Sequence, residues 1–142
     1  MCIRDRLKFI TDLEGKNYYK YNLFGKLKRI EHYRDSVLYR IDDFKNGLLV
    51  SETFPTRKKY RRKFTYKYDK KKRLIKNDDH DYHFKRYEYN EFGIKKIEKV
   101  YKKKNDVLEY TVFYYSKNGI LERKKEFYRN HKLRNEFVYE YK

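Results

Sequence analysis

The sequence predicts an all-β fold, an antiparallel meander of repeated β-hairpins. Three patterns predict it: a recurring Tyr-x-Tyr pair, the turn residues that follow each pair, and alternating aromatic and polar side chains. With a looser copy that ends at Ile41, the second positions of successive pairs lie 20 to 27 residues apart. This period is typical of a repeat array and too short for a βαβ crossover. The pair positions expected to carry the packing between repeats are Tyr19, Tyr21, Tyr66, Tyr68, Tyr87, Tyr89, Phe113, Tyr115, Tyr139 and Tyr141.

Each pair is predicted to end one strand and to lead through a turn into the next. Gly25, Gly93 and Gly119 accept the positive φ that tight turns require, and Asn or Asp side chains fold back onto the local backbone. The Asn-Gly dipeptide at 118–119 is the strongest hairpin signal. Residues 69–74 contain no glycine, so the pattern does not specify that turn.

Alternation identifies strands between the turns. In residues 64–68 and 137–141 the aromatic side chains fall on one face, as in a half-buried strand. Residues 110–115 are apolar on both faces, so that strand is either central or covered by a neighbour. Pro55 cannot donate a ladder hydrogen bond and marks a strand end or an edge. Residues 95–104 are rich in helix formers, but their apolar spacing also fits a strand, which we expect here.

These elements amount to about ten to twelve short strands in a single sheet, either open and twisted or rolled into a barrel. Aliphatic residues are sparse, so the core should be thin and dominated by tyrosine, whose ring buries a large area while its hydroxyl stays wet. Charged residues make up 42% of the chain and hydrophobic residues 39%, a balance that is also typical of disorder. The aromatic content of 20% and the regular turn spacing favour an ordered β-structure.

The formal net charge is +18, from 39 Lys and Arg residues against 21 Asp and Glu residues. Such a surface favours a polyanionic partner: nucleic acid, an acidic glycan or anionic lipid head groups. Alternatively, AT-rich codons encode Lys, Asn, Tyr, Ile and Phe and produce a basic surface without selection for binding, and charged edges keep sheets from pairing. No stretch approaches the roughly 20 apolar residues of a membrane span.

Residues 1–6, Met-Cys-Ile-Arg-Asp-Arg, resemble the translation of a transposase sequencing adapter. We therefore expect the β-hairpin repeat region to cover residues 7–142 and to be a fragment of a longer array. No thiol chemistry is inferred from the single cysteine, which belongs to the first segment. Residues 139–142 repeat the start of a unit without its turn, which also indicates truncation; a closing strand at residues 137–142 is the alternative.

The unit Tyr-x-Tyr-Asp/Asn-x-x-Gly-x-Leu resembles the YD repeats of Rhs-type proteins and the looser arrays of bacterial surface and secreted proteins. The matching stretches are residues 19–27, 66–75, 87–94 and 115–121. The resemblance implies a spiralling β-sheet shell or a long sheet that serves as scaffold or adhesin. It also implies neighbouring repeats of a longer chain as partners, and a secreted or cell-surface location.

Residues 114–121 and 128–133 also resemble the variant MORN repeats of bacterial antitoxin-like proteins, with their Tyr-Tyr-x-x-Asn-Gly-Lys-Leu pattern. This second resemblance again implies an array of hairpins. Its functional implication is different, because an antitoxin-like repeat would bind one acidic protein.

Residues 78–83, Asp-Asp-His-Asp-Tyr-His, form the only cluster of metal-ligand types. Imidazole and carboxylate suit Zn²⁺ or Mn²⁺. His80 and His83 would point to opposite faces of a strand, so chelation needs a tight loop. We expect instead an acidic loop that faces nearby lysines, and we predict no metal and no cofactor. His32 and His131 are isolated and are expected at the surface.

No pattern indicates catalysis. Ser36, Ser51 and Ser116 lie outside any Gly-x-Ser-x-Gly elbow, and no glycine-rich loop is present to cradle a phosphate. The numerous carboxylates include no pair that its spacing marks for acid-base work. We predict that the chain is not an enzyme and has no catalytic or cofactor-binding residues.

The densest basic run, residues 57–63, lies beside Phe64 and Tyr66, and a second run at 70–73 falls in the turn of the same hairpin. If both runs lie at one end of the sheet, the rings and cations together suit single-stranded nucleic acid. A solvated loop is the alternative. The candidate polyanion patch consists of Arg57, Lys58, Lys59, Arg61, Arg62, Lys63, Lys70, Lys71, Lys72 and Arg73.

The function expected from the sequence is a non-enzymatic structural or interaction segment of a bacterial repeat protein, such as a scaffold, surface or shell. Two alternatives are a basic module that binds a polyanion and an antitoxin-like repeat that binds a protein.

Overall fold

The structure, a computed structural model, describes residues 9–12, 15–55 and 62–141, and within these ranges it contains twelve β-strands and no helix. The strands are β1 (Phe9–Asp12), β2 (Gly15–Tyr21), β3 (Leu27–Arg34), β4 (Val37–Lys45), β5 (Leu48–Phe54), β6 (Arg62–Tyr68), β7 (Leu74–Asp78), β8 (His83–Tyr89), β9 (Ile94–Tyr101), β10 (Asp106–Tyr115), β11 (Leu121–Tyr128) and β12 (Leu133–Val138). The all-β fold predicted from the sequence is confirmed. Since the described residues form no helix, they include none that is long and apolar enough to cross a membrane.

The chain divides into two compact units, Met1–Lys67 and Tyr68–Lys142. In the first unit the strands β1 to β6 pair in sequence order, and every pairing is antiparallel. In the second unit the strands β7 to β12 do the same. Among the described residues of each unit, the first strand does not pair with the last, so each unit is an open meander of hairpins.

The pairings place the individual strands that the sequence predicts. β10 pairs with β9 on one side and β11 on the other, which confirms that residues 110–115 belong to a central strand. Pro55 directly follows the last residue of β5, as expected of a residue that ends a strand. The helix formers directly after Gly93 lie in a strand, β9, which is held between β8 and β10 by antiparallel pairing on both sides.

One loop geometry recurs at turns that follow a tyrosine pair. In residues 22–26, the Asn22 N–H donates to the Lys26 carbonyl at 2.9 Å. The Asn22 Oδ1 accepts hydrogen bonds from the backbone N–H groups of Phe24 and Lys26, both at 3.0 Å. Gly25 takes the positive φ of 73° that closes the turn. The first side chain and the glycine together determine this loop.

Residues 69–73 adopt the same loop without a glycine. The Asp69 N–H donates to the Arg73 carbonyl at 2.9 Å, and the Asp69 Oδ1 accepts from the N–H groups of Lys71 and Arg73 at 2.8 and 2.9 Å. Lys72 takes the positive φ, 63°. The aspartate therefore specifies a turn that the sequence pattern left open, and Lys72 adopts a backbone conformation that costs a non-glycine residue about 1 kcal/mol.

The loop at residues 116–120 uses a serine in the first position. The Ser116 Oγ accepts from the N–H groups of Asn118 and Ile120 at 3.2 and 3.1 Å. Gly119 has a φ of 79°, and a Cβ atom at this position would lie 2.8 Å from Cδ1 of Phe92. Glycine is therefore required here both by the backbone conformation and by the neighbouring ring.

Burial in the described part of the chain is mostly partial. Val100 is the one hydrophobic side chain there that is buried from solvent. Rings cover one another across neighbouring strands instead: Tyr18 and Tyr33 meet edge to face at 5.1 Å, and Tyr110 stacks on Phe127 at 4.8 Å. The core is thin, as expected from the scarcity of aliphatic residues.

Replacement of Gly119 tests how strongly this loop depends on its glycine. We expect Gly119→Ala to reduce the free energy of unfolding by about 2 kcal/mol, because it adds both backbone strain and a clash with Phe92. Urea titration followed by far-UV circular dichroism measures the change. Gly25→Ala is the matched control, since its φ is similar and no atom lies within 4 Å of the added Cβ. Only backbone strain should act there, and the free energy of unfolding should fall by about 1 kcal/mol. Equal costs for the two variants would show that Phe92 imposes no constraint.

Candidate functional site

The predicted polyanion patch is described only in part. Arg57, Lys58, Lys59 and Arg61 lie outside the described residues. Arg62 and Lys63 begin β6 with exposed side chains, and the Arg62 guanidinium carbon lies 5.3 Å from the centre of the Phe64 ring. This ring is therefore in contact with a cation of its own chain.

The second basic run forms the tip of the loop at residues 69–73. Lys70, Lys71 and Lys72 are exposed, and no described carboxylate forms an ion pair with them. Arg73 differs from them, because its Nε donates to Asp69 at 2.8 Å and its guanidinium lies 4.5 Å from the centre of the Tyr89 ring. Hydrogen bonds from the Arg73 backbone and side chain hold the pKa of Asp69 below its ordinary value. The loop thus presents three lysines, and its fourth cation is neutralised.

The acidic loop after β7 faces lysines, as the sequence predicts. The Asp78 carboxylate lies 2.5 Å from Nζ of Lys102 and 3.3 Å from Nζ of Lys76. Burial opposes the ionisation of Asp78, but hydrogen bonds from Lys102, the His80 N–H and Lys76 outweigh it and lower the pKa to about 2. The next carboxylate, Asp79, accepts backbone N–H groups of its own loop. Among the described residues, no group of three or more His, Cys, Asp or Glu side chains is arranged to hold a metal ion.

A polar chain that the sequence analysis missed crosses five strands of the first unit. Its members, in order from β2 to β6, are Asn17, His32, Asp42, Arg40, Glu52 and Tyr66. The pairing places these side chains on one face, because Asn17 is opposite His32 and Asp42 is opposite Glu52. The sequence signal for this polar chain is weak: polar residues occupy alternating strand positions, on a face where apolar residues are usual.

Asp42 is the centre of this polar chain and is only 3% exposed. Its Oδ2 lies 2.9 Å from Nε2 of His32, while Arg40 donates to both carboxylate oxygens at 2.7 and 2.6 Å. Burial tends to raise the pKa of Asp42, but the hydrogen bonds from Arg40 and His32 lower it overall. The expectation that His32 lies at the surface is wrong: its side chain is 15% exposed, because Asn17 and Asp42 enclose it from two strands. His131 is exposed, as expected.

The second unit contains a similar buried carboxylate, Glu98 on β9. It is 6% exposed and lies 2.7 Å from Nε of Arg86 and 2.6 Å from Nζ of Lys96. Burial disfavours the charged form, yet the hydrogen bonds from Lys96 and Arg86 lower the pKa of Glu98. The Glu98 and Asp42 carboxylates are both engaged by cations of their own unit, an arrangement that ties strands together.

Three of the predicted packing tyrosines make the same hydrogen bond. The hydroxyl groups of Tyr89, Tyr115 and Tyr141 donate to the carbonyl oxygens at the starts of β7, β9 and β11, at 2.7, 2.8 and 2.8 Å. These acceptors are Leu74, Ile94 and Leu121. The remaining members divide by exposure: Tyr19, Tyr21, Tyr66, Tyr68, Tyr87 and Phe113 are half-buried, whereas Tyr139 is exposed. The hydroxyl bonds join the two strands of each pair at the end where the tyrosine lies.

In comparisons with known proteins, no family model and no curated protein sequence matches this chain. The resemblances to YD and variant MORN repeats stay predictions.

The low pKa of Asp78 predicts a pH-dependent contribution to stability. Because the folded-state pKa of about 2 lies below the ordinary value near 4, the contribution is fully present above about pH 4 and is lost as the pH falls towards 2. After allowance for solvent screening, we expect Asp78→Asn to lower the free energy of unfolding by about 1 kcal/mol at pH 6 and by almost nothing at pH 2. Urea titrations at a series of pH values measure the difference.

Asp81→Asn is the control for this measurement, since it removes an exposed carboxylate of the same loop that forms no ion pair with a described residue. Its curve should follow that of the unmodified protein. A constant difference between Asp78→Asn and the unmodified protein from pH 6 to pH 2 would contradict the assignment.

Proposed function

We propose that this chain is a non-enzymatic structural and interaction segment of a β-hairpin repeat protein of the bacterial surface or shell type. The observation that supports the proposal best is the hydrogen bond from a pair tyrosine to the first carbonyl of the preceding strand. It occurs at Tyr89, Tyr115 and Tyr141, in three successive strand pairs of the second unit. A contact that recurs with the sequence period is what a repeat array requires.

Local hydrogen bonds close each loop, whereas burial against the neighbouring hairpin stabilises the strands. The loops at residues 22–26, 69–73 and 116–120 close through their own backbone and side-chain hydrogen bonds. An isolated two-stranded hairpin is at best marginally stable in water, so each hairpin depends on the next for its burial. Short, self-contained turns joined to mutually dependent strands suit an extendable scaffold.

The buried carboxylates also support a structural role. Asp42 and Glu98 each contact cationic side chains of neighbouring positions at hydrogen-bond distance. A general base or a metal ligand needs an oxygen that remains available to substrate or metal. Carboxylates that are occupied in this way act as ties between strands.

Tyr115→Phe tests whether the recurring hydroxyl bond stabilises the array. We expect the free energy of unfolding to fall by about 1 kcal/mol, since the Ile94 carbonyl loses its donor while the ring remains. Hydrogen exchange should show the increased opening first in β9 and β10. Tyr114→Phe is the matched control, because this neighbouring tyrosine is 43% exposed, and its expected change is within about 0.5 kcal/mol. Equal effects of the two variants would overturn the assigned role of the bond.

A second candidate function, polyanion binding, is favoured by one observation. Lys70, Lys71 and Lys72 project from a hydrogen-bonded loop, and the carboxylate of that loop, Asp69, is engaged by Arg73 and by backbone N–H groups. Three uncompensated cations on a defined loop can contact successive phosphates of a nucleic acid strand. The rings near other cations, such as Tyr89 below Arg73, are already covered, which favours phosphate contacts over base stacking.

Salt titration distinguishes this candidate from a purely structural role. Binding of a fluorescent single-stranded thymidine oligonucleotide is measured at several salt concentrations for the unmodified protein and for the triple variant K70Q/K71Q/K72Q. Polyanion binding at this loop predicts a slope of log K against log salt that is shallower by about 2 in the variant. The control K95Q/K103Q/K104Q removes three other exposed lysines of the same unit. If both variants lose the same amount of slope, binding depends on the net charge and not on this loop. The structural role would then remain as the only supported function.

A further inference from the structure

The loop at residues 22–26 presents two large apolar side chains to solvent. Leu23 is 79% exposed and Phe24 is 87% exposed, the two highest values among the large hydrophobic side chains of the described residues. The loop itself does not require them, because Asn22 and Gly25 supply its hydrogen bonds and its positive φ. The two side chains are therefore held at a defined tip without contributing to the fold of the loop.

A comparison with the loop at residues 90–93 shows what such a phenylalanine does when it has a partner. Phe92 precedes Gly93 as Phe24 precedes Gly25, and its ring lies 6.1 Å from the Tyr115 ring and against Gly119 of the following loop. In the first unit, the next turn at the same end is the short turn after β4. No atom lies within 4 Å of a Cβ placed on Gly47 in that turn. Among the described residues, Phe24 therefore has no ring packed on it as Tyr115 packs on Phe92.

The surroundings of this tip are positively charged. Lys26, Lys28 and Lys45 are exposed at the same end of the first unit. The turn after β2 joins β2 to β3, and the turn after β4 joins β4 to β5, so the centres of the two turns lie two strand spacings, roughly 10 Å, apart. The nearest acidic side chains of β3 and β4 are already bound: Asp43 by Arg29 at 2.7 Å, Asp42 by Arg40 at 2.6 Å and Glu31 by Lys20 at 2.6 Å. The result is a protruding apolar tip inside a rim of uncompensated cations.

We propose that this end of the first unit, defined by Leu23, Phe24, Lys26, Lys28 and Lys45, docks on the surface of an anionic lipid bilayer. The two apolar side chains enter the boundary between head groups and acyl chains, and the three lysines contact anionic head groups. Apolar burial and electrostatic attraction add in such interfacial binding, and each lysine near an anionic surface contributes separately. A convex tip suits a deformable lipid interface better than a preformed protein pocket, which would need a matching cavity without basic residues.

The absence of tryptophan from the chain provides a direct test. F24W introduces a single indole at the tip, where the exposure of the side chain leaves room for it. Vesicles of equal parts phosphatidylcholine and phosphatidylglycerol should shift its emission to shorter wavelength, and brominated acyl chains should quench it. Vesicles of phosphatidylcholine alone should have a much smaller effect. An unchanged emission spectrum with the mixed vesicles would overturn the proposal and would favour a protein as the occupant.

Co-sedimentation with the same vesicles separates insertion from general attraction by charge. L23S/F24S should weaken binding at least about tenfold through the lost apolar burial. K26Q/K28Q/K45Q should weaken it roughly a hundredfold at low salt. V37S is the matched control, because Val37 is an exposed apolar residue (54%) at the opposite end of the unit, and it should bind as the unmodified protein does.

Two results of the co-sedimentation experiment would contradict the proposal. If L23S/F24S binds as tightly as the unmodified protein, the attraction is electrostatic only and the tip does not insert. If V37S weakens binding as much as L23S/F24S, the effect is not specific to the tip. Circular dichroism of each variant verifies that the fold is retained, as expected for exposed positions.

Discussion

The pairing of each strand with its sequence neighbours is the constraint on which the rest of the structure depends. Within each unit, the ladder of each described strand is formed only with the strands before and after it. A side chain is therefore covered by residues beside it on the same face. Aromatic rings and long cationic side chains reach across the spacing of about 5 Å between strands more completely than short aliphatic ones. This accounts for a sheet built largely from Tyr, Lys and Arg, in which Val100 is the buried hydrophobic residue of the described part.

The same constraint decides how a strongly basic chain uses its carboxylates. Arg86 on β8 reaches Glu98 on β9, and His32 on β3 reaches Asp42 on β4. Arg40 also contacts Asp42, from two positions away on the same strand. Partial burial would raise the pKa of an isolated carboxyl, but the hydrogen bonds from these cations lower it in both cases. The carboxylates stay ionised at neutral pH and hold the strands in register. Removing one partner is costlier than the net value of the pair, because the other charge then remains buried and unpaired.

In the recurring loops, the residues that fix the turn geometry differ from the residues that project into solvent. The first residue and the residue with positive φ fix the geometry: Asn22 and Gly25 in one loop, Asp69 and Lys72 in another. The residues between them are free to differ, so one tip carries Leu-Phe and the other carries two lysines. Surface properties can therefore change from hairpin to hairpin while the strands and their pairing remain the same. Binding residues concentrate at such loop positions on a rigid scaffold.

The sequence by itself determined the fold class, the hairpin order and most of the turns, because strand alternation and Gly or Asn turn chemistry are local properties of the chain. The turn after Tyr68 required the structure, since it depends on hydrogen bonds that the Asp69 side chain makes with backbone N–H groups two and four residues ahead. Only the tertiary structure revealed that His32 is enclosed and that Phe24 is uncovered. Both depend on what a neighbouring strand or loop places opposite them. Cross-strand register decides this, and no local pattern of residues encodes it.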